Sequence, residues 1–266
     1  MAGPIQQRLL PDTAAIDTDG QATVGGCRLT DLADQFGTPL FVYDEEHLRA
    51  RCREAVAAFG PGVSYASKAF LCGAMARLVV EEGMHIDVST GGELYMARHA
   101  GVPGEKLVMH GNNKSELELR MAIDEGVRRI VVDSFDELDR LEALHAETGV
   151  TPKILLRITP GVEAHTHEFI STGQDDSKFG FTVSTGLAAI AVERAVVSSA
   201  VELMGVHCHI GSQVFEVGSF ARTVEIMAQF SVPLGLPDLS IGGGLGVAYL
   251  EEDQASTITQ WGEVVQ

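Results

Sequence analysis

Lys68 has the residue type and the position for covalent chemistry on a carbonyl compound. It follows the short apolar run Val63–Ala66, which is typical of a buried strand. A lysine at the end of such a strand loses hydration, and its amine then deprotonates more easily, as Schiff-base chemistry requires. A lone lysine at a strand end is more often simply solvated. The interpretation therefore depends on the residues expected around it.

A second chemical feature is a run of glycines. Gly242, Gly243 and Gly244 come directly after the apolar run Asp238–Ile241. Bare backbone N–H groups between a strand and a helix form a nest that suits a phosphate. The spacing is not G-x-G-x-x-G, because residue 247 is Val, so dinucleotide binding is not predicted. A plain glycine turn is the alternative for this segment.

Histidines supply the third feature. His207 and His209 are two residues apart, so both should face the same side of a strand, and His165 and His167 form a second such pair. H-x-H pairs can bind a metal, but no carboxylate lies at a familiar ligand spacing, and no metal is predicted. A histidine ring could instead stack on a planar cofactor. A reactive lysine, a phosphate nest and such a ring together predict pyridoxal 5'-phosphate, which would act as the electron sink.

Three charged residues complete the candidate site. Asp87 ends another apolar run and could pair with Lys68 or orient another group. Glu93 lies in a T-x-x-E pattern, so a capping box at a helix start explains it equally well. Arg157 interrupts an apolar strand and needs an anionic partner, because burying it alone is costly.

These residues must be positioned by elements that repeat along the chain. Helical patterns separate the apolar runs, and two of them open with the capping boxes Ser115-x-x-Glu118 and Ser134-x-x-Glu137. Strand and helix alternating in this way indicate βα units around a parallel sheet. The seven predicted strands are Val63–Ala66, His85–Val88, Leu107–His110, Arg129–Asp133, Lys153–Ile158, Gly205–Ile210 and Asp238–Ile241.

The predicted fold is an α/β protein of the (β/α)8 TIM-barrel type. An open doubly wound sheet would show a glycine fingerprint after its first strand, and none is present. With seven strands found, an eighth is expected to be missing beyond residue 266. Residues 44–266 are predicted to be an incomplete barrel that opens with the amphipathic helix Asp44–Phe59. Residues 1–43 are predicted to be a lead-in segment of another domain, including a short strand at Pro39–Tyr43.

The composition excludes several classes of partner. Lys and Arg number 19 and Asp and Glu 37, which gives a formal net charge of −18. That charge repels phosphate backbones and anionic membranes, so neither nucleic acid nor a membrane is an expected partner. No signal peptide or long apolar span is visible. The four cysteines are widely spaced and do not suggest a disulfide framework, which favours the cytoplasm.

The motifs together resemble one family over nearly the whole chain. The chain is similar to the barrel domain of the diaminopimelate decarboxylases, in the alanine racemase and ornithine decarboxylase-like group of pyridoxal phosphate enzymes. The matching stretches are Phe36-Gly-Thr-Pro-Leu-Phe-Val-Tyr-Asp44, Tyr65-Ala-Ser-Lys-Ala69, Asp87-Val-Ser-Thr-Gly-Gly-Glu-Leu94, His110-Gly-Asn-Asn-Lys-Ser115, Arg157-Ile-Thr-Pro-Gly161, Ser177-Lys-Phe-Gly180, Gly205-Val-His-Cys-His-Ile-Gly-Ser-Gln213 and Ile241-Gly-Gly-Gly-Leu-Gly246.

The resemblance implies a reaction and a set of roles. The amino acid meso-2,6-diaminopimelate would lose CO2 to give L-lysine, the last step of lysine biosynthesis. Lys68 would carry the covalent link to the cofactor, and His209 would stack on its ring. The phosphate would be held by Ser212 together with Gly242–Gly244. The site around the ring would be shaped by Asp87, Glu93 and Arg157.

The family pattern also includes parts that this sequence lacks. They are an eighth strand with an E-P-G-R stretch and a C-terminal β-domain with a C-E-S-x-D motif, on which the family's homodimer relies. We therefore expect the 266-residue chain alone to be impaired in catalysis. Two alternatives remain at this point: a non-enzymatic single-barrel protein that carries pyridoxal phosphate, and a metal-dependent barrel hydrolase. The latter class normally places its H-x-H on the first strand, whereas here it lies on the sixth.

Overall fold

The N-terminal part contains a small antiparallel sheet that the sequence pattern does not reveal. The computed structural model describes residues 6–162 and 178–266. Strands of two or three residues are too short to show alternation of apolar and polar residues, so the turn-rich sequence around them hides them. The sheet has the order β1-β2-β3 and precedes a helix; β1 is Ala15–Ile16, β2 is Ala22–Val24, β3 is Cys27–Arg28 and α1 is Leu29–Phe36.

The strand predicted at Pro39–Tyr43 is wrong. The segment has no regular secondary structure, and within the described ranges it pairs with no strand. Apolar side chains favour a strand only where a neighbour supplies backbone hydrogen bonds and a face to cover them. Here the side chains are exposed instead, with Phe41 at 86% of its full accessibility.

All seven strands predicted for the barrel are present, and they form one parallel sheet in chain order. The order is β4-β5-β6-β7-β8-β10-β11, and the short β9 extends the end of β8 by pairing with Ile158 and Thr159. The bounds are β4 Ser64–Ala66, β5 His85–Val88, β6 Leu107–Met109, β7 Arg129–Val132, β8 Lys153–Thr159, β9 Phe181–Thr182, β10 Glu202–His207 and β11 Asp238–Ser240.

Helices between the strands cover the outside of this sheet. The predicted helix before the first barrel strand is confirmed, with the Asp44 carboxylate accepting a hydrogen bond from the His47 N–H at its start. The helices are α2 Glu45–Phe59, α3 Gly73–Glu81, α4 Gly91–His99, α5 Glu116–Asp124, α6 Phe135–Thr148, α7 Leu187–Val197, α8 Val217–Ser231 and α9 Ile258–Val265.

The strands separate two apolar layers by their two-residue period. Outward residues such as Ile86, Met109 and Leu156 pack with buried leucines of the helices in one large core. The residues between them point to the other side, where Val108, Val131 and Leu155 form a small inner cluster. Strands buried on both faces carry near-continuous apolar runs, which is why the sequence identifies them so clearly.

The helical layer joins the two ends of the sheet. Strands β4 and β11 lie at opposite ends of the described sheet. Helix α9, at the β11 end, packs on helix α2, which precedes β4. The Glu54 carboxylate accepts hydrogen bonds of 2.9 Å from both the backbone N–H and the hydroxyl of Thr259. The spacing between the first and last barrel strands is therefore set by helix packing.

A search of the described ranges for membrane-spanning elements finds no helix with the length and apolar character to cross a bilayer.

Candidate active site

Strand register places three polar side chains in one row on the inner face of the sheet. Arg157 on β8 is paired with His207 on β10, and His207 is paired with Ser240 on β11. The Nδ1 atom of His207 lies 2.8 Å from the Ser240 hydroxyl oxygen. This row lies at the carboxyl ends of the strands, where barrels of this kind carry their functional groups.

A second pair reaches the row from the other side of the barrel. Asp87 faces inward on β5, and its Oδ2 lies 3.3 Å from Nε2 of His110, which directly follows β6. The His110 and His207 rings meet edge to face, with their centroids 4.8 Å apart. Asp87 was expected either to pair with Lys68 or to orient another group. In the structure its carboxylate lies beside His110 and can orient that ring.

Both histidines of the H-x-H pair are held in the neutral form. Burial lowers the pKa of His207 well below 6.5, and the positive groups nearby, His110 and Arg157 first, act in the same direction. Burial also lowers the pKa of His209 to about 3, with further lowering from Lys68, Arg157 and His110. Lys68, Arg157 and both histidines are therefore close enough to interact electrostatically around one site.

Lys68 lies just beyond its strand. Strand β4 ends at Ala66, and a single 3-10 turn at Ser67–Ala69 carries Lys68 out to an exposed position. The expected loss of hydration is therefore wrong for this structure. The reason is that β4 is an edge strand, so protein groups cover the turn after it on one side only.

The glycine run makes close contacts that a side chain would prevent. A Cβ atom at Gly242 would lie 2.4 Å from the Cys208 carbonyl oxygen and 3.0 Å from Nδ1 of His209. One at Gly244 would lie 1.9 Å from the Gly211 carbonyl oxygen and 3.5 Å from Cα of Ser212. A Cβ at Gly243 would meet nothing within 4 Å, so this residue faces open space. The structure thus brings Ser212 and His209 against the glycine loop.

Glu93 is used in local structure. Its carboxylate accepts a 2.6 Å hydrogen bond from the Ser89 N–H, and Thr90 Oγ1 accepts one of 3.1 Å from the Glu93 N–H. These bonds start helix α4 and fix the loop that follows Asp87. Half of the capping box considered for Glu93 is therefore present: Thr90 caps the Glu93 N–H, but the Glu93 carboxylate accepts from Ser89 and not from Thr90.

A buried ionic network behind the site was not found by sequence reasoning. The expected anionic partner of Arg157 is Asp133, at 3.2 Å, and Asp133 also accepts a hydrogen bond from the Gly180 N–H. The Glu137 carboxylate accepts from the Asp133 N–H and lies 2.7 Å from Nζ of the fully buried Lys114. The H-G-N-N-K stretch was visible in the sequence, but nothing local signals that its lysine points into the protein.

Metal binding is not supported by the part of the chain that the structure describes. In residues 6–162 and 178–266, no group of three or more His, Cys, Asp or Glu side chains is arranged to hold an ion. The second H-x-H pair, His165 and His167, and Ser177 of the S-K-F-G stretch lie outside the described residues.

Comparisons with known proteins agree on one family. The model of the family described as pyridoxal-dependent decarboxylase, pyridoxal binding domain, matches residues 45–266. A diaminopimelate decarboxylase of Mycobacterium tuberculosis is 46% identical over 262 residues, which cover 94% of this chain and 59% of that protein. One from Bacillus subtilis is 44% identical, over 96% of this chain and 61% of that protein.

Solved structures show the same fold. A diaminopimelate decarboxylase from M. jannaschii, in complex with L-lysine, superposes with a TM-score of 0.88 at 35% identity, over 96% of this chain and 62% of that one. The Helicobacter pylori enzyme, also with L-lysine, gives 0.80 at 27% identity, over 89% and 61%.

The chain spans about three fifths of the length of these relatives. Its fold is the barrel that they share, and the family match covers all seven barrel strands. By its sequence and by the groups assembled at the mouth of the barrel, the chain belongs to the pyridoxal-dependent decarboxylases and carries their pyridoxal-binding domain.

Proposed function

We propose that this chain binds pyridoxal 5'-phosphate across the mouth of the barrel and contributes most of the active site of a diaminopimelate decarboxylase. The observation that carries the proposal is that a lysine, a neutral histidine and an open glycine loop all lie at the carboxyl ends of the barrel strands. The donor set fits the cofactor: an amine for its aldehyde, a flat uncharged ring for its ring, and backbone N–H groups for its phosphate.

Each group has a physical reason for its role. Lys68 is exposed on the turn after β4 and can reach a carbonyl carbon. His209 keeps a neutral imidazole, which can lie against an aromatic ring without a charge to be desolvated. At Gly243 the loop leaves open space, so a phosphate can approach the backbone where any side chain would project. Ser212 adds a hydroxyl beside that loop.

The charged residues fix the surroundings. Asp133 holds the Arg157 guanidinium in the inner row, and Asp87 holds His110 opposite it. Glu93 holds the loop that follows Asp87, because its carboxylate accepts a hydrogen bond from the Ser89 N–H. Bound pyridoxal phosphate supplies an electron sink for the bond that breaks at the substrate's α-carbon. The protein groups would hold the cofactor and orient that bond.

The proposed substrate is meso-2,6-diaminopimelate and the products are L-lysine and CO2. Support comes from the relatives that are 44–46% identical to this chain over the aligned residues and are named diaminopimelate decarboxylase. The structures of the M. jannaschii and Helicobacter pylori enzymes hold L-lysine, the proposed product.

We expect slow turnover by the 266-residue chain. The Lys68 turn and the glycine loop follow β4 and β11, which lie at opposite ends of the described sheet. Within the described sheet no strand pairing joins these ends, and α2 packs on α9 instead, so we expect the distance between the two proposed cofactor-binding parts to be held less tightly than in a closed sheet. Precise positioning is a large part of enzymatic rate enhancement.

The test is release of CO2 from carboxyl-labelled meso-2,6-diaminopimelate, compared with L-ornithine and L-arginine as substrates. We expect slow release from diaminopimelate alone, abolished in Lys68→Ala, while the control Lys106→Ala behaves like the wild type. Release from ornithine or arginine in preference would contradict the proposed substrate. Cofactor binding with no release from any of the three would favour the non-enzymatic carrier.

Assembly as a homodimer and a cytoplasmic location are further proposals that rest on the resemblance to the family. The homodimer is proposed for the full-length family, and sedimentation of the purified protein measures whether the 28.4 kDa chain forms it alone. A monomer at micromolar concentration would contradict a dimer formed by this chain alone.

A further inference from the structure

Gln213 has an unusual backbone conformation for its residue type. Across the two described ranges it is the one non-glycine residue with a positive φ, at 55°. Side chains with a Cβ are strained in this left-handed region, and Asn or Gly would adopt it more easily than Gln. The backbone geometry therefore gives no reason for a glutamine here, and the reason must lie in its long amide side chain.

That side chain makes a reciprocal pair of hydrogen bonds with the backbone of Val247, three residues after the glycine loop. The Val247 N–H donates to Oε1 of Gln213 over 2.9 Å, and Nε2 of Gln213 donates to the Val247 carbonyl oxygen over 3.1 Å. The amide thus pairs with the backbone as a neighbouring strand would. Both of its ends are used, which a shorter or purely accepting side chain cannot reproduce.

The pair continues a short ladder between two loops. The Val214 N–H donates to the Gly244 carbonyl, and the Gly246 N–H donates to the Val214 carbonyl. The segment 211–214 after β10 and the segment 242–247 after β11 are thereby joined. These segments carry Ser212 and the three glycines, the two halves of the proposed phosphate site.

We propose that Gln213 is a positioning residue for the cofactor phosphate: by clamping residue 247, it holds the Gly242–Gly244 loop in register with Ser212. The inference rests on the proposed function. It assigns to Gln213 no contact with the cofactor, and it predicts an effect on the phosphate alone, since Lys68 and the ring-binding groups are held by other elements.

The test compares the affinities for pyridoxal 5'-phosphate and for pyridoxal, which lacks the phosphate, by absorbance titration. In Gln213→Asn the side chain is too short to reach residue 247, while the residue type suits the positive φ. We expect its preference for the phosphorylated compound to fall about tenfold, the effect of losing one or two hydrogen bonds. Pyridoxal affinity should stay unchanged.

Two further variants make the result decisive. Gln254→Asn makes the same change at an exposed position after the loop and should keep the wild-type preference. Gln213→Glu keeps an acceptor for the Val247 N–H but loses the donor to its carbonyl, so it should also lose preference. Far-UV circular dichroism and the melting temperature show which variants are folded. If Gln213→Asn does not fold, the ligand preference of Gln213→Glu tests the role of Gln213.

The outcomes separate the two proposals. A folded Gln213 variant with the wild-type preference, or with equal loss of both ligands, overturns the clamp and leaves the proposed function standing. A wild-type chain that binds neither ligand, or shows no preference for the phosphate, overturns the proposed function and the clamp with it.

Discussion

At the scale of single residues, the site is built around imidazoles kept neutral by their surroundings. His207 is 4% exposed. Its ring contacts Ser240 and His110, and its register partner on β8 is Arg157. A proton on this ring would lack an anionic partner among these neighbours. Its pKa is lowered by burial first and then by electrostatic interactions with His110 and Arg157.

The low pKa of His207 makes stability depend on pH. The unfolded chain binds a proton at His207 below about pH 6.5, whereas the folded chain does not, so stability is lost as pH falls below that value. His209 acts in the same direction down to about pH 3. In His207→Asn, which can keep a hydrogen bond to Ser240, we expect a shallower slope of the unfolding free energy between pH 6.5 and 5. The difference should be about 1.4 kcal/mol per pH unit.

Urea unfolding at several pH values measures that slope. His99→Asn, at an exposed position of α4, is the matched control and should keep the wild-type slope. An unchanged slope in His207→Asn would mean that His207 binds its proton in the folded protein too.

The sequence suggests candidate residues for the site better than it suggests their contacts. Lys68, His209 and the glycine loop stand out by their positions at the ends of apolar runs, whereas Ser212 enters through the resemblance to the family. The partners His110 and Asp133 were not assigned a role, because each lies on a different strand from the residue it contacts. Such pairs depend on strand register, which the local pattern does not specify.

At the scale of elements, two similar capping sequences have different outcomes. Ser115 and Glu118 form the complete predicted box, with each side chain accepting from the other residue's backbone N–H. Ser134 accepts from the Glu137 N–H as predicted, but the Glu137 carboxylate turns to Asp133 and to Lys114. The buried Lys114, from the preceding βα unit, is thus the ionic partner of this glutamate. In the second sequence, the glutamate of the capping motif therefore links neighbouring βα units.

Neutralising Glu137 should destabilise the protein strongly. Glu137→Gln leaves the Lys114 ammonium buried without its anion, at a cost of about 3–5 kcal/mol in unfolding free energy. The exposed pair Arg120–Glu147 has the same 2.7 Å distance, and Glu147→Gln should cost less than about 1 kcal/mol. Urea denaturation of the two variants compares them.

A double variant isolates the charge effect. Lys114→Met with Glu137→Leu removes both charges, and we expect it to be more stable than Glu137→Gln alone. If the double variant is the least stable of the three, the network contributes mainly through its hydrogen bonds to backbone carbonyls such as that of Val131.

Replacement by alanine should change stability in opposite directions at two helical glycines, Gly262 in the contact between α2 and α9 and Gly218 outside it. A Cβ at Gly262 would lie 2.8 Å from the Cβ of Ala58, closer than such atoms approach, so Gly262→Ala must push the helices apart. We expect a loss of about 1–3 kcal/mol. Gly218, exposed on α8, has nothing within 4 Å, and Gly218→Ala should gain up to about 1 kcal/mol from helix propensity.

Thermal and urea unfolding measure both changes. Stabilisation by Gly262→Ala would show that α9 does not pack closely on α2. Close packing of α9 on α2 would then not be what joins the two ends of the sheet.

At the scale of the whole molecule, the fold follows from repetition. The first five strands were predictable because they begin at a nearly constant interval along the chain, and β5 to β8 are also largely buried on both faces. The N-terminal sheet and the extended segment Leu40–Tyr43 were not, because their structure depends on partners rather than on pattern. Neither difference changes the position of the candidate site.

The two parts of the proposed cofactor site lie after the strands at opposite ends of the sheet. Lys68 follows the first barrel strand and the glycine loop follows the seventh, with His209 between them in the chain and beside the loop in space.

The most direct test of this account is where the cofactor attaches. The protein is incubated with pyridoxal 5'-phosphate, reduced with borohydride and mapped by peptide mass spectrometry. We predict a pyridoxyl adduct confined to Lys68. An adduct spread over lysines such as Lys106 and Lys153, or none at all, would contradict the assignment of Lys68 and with it the cofactor site.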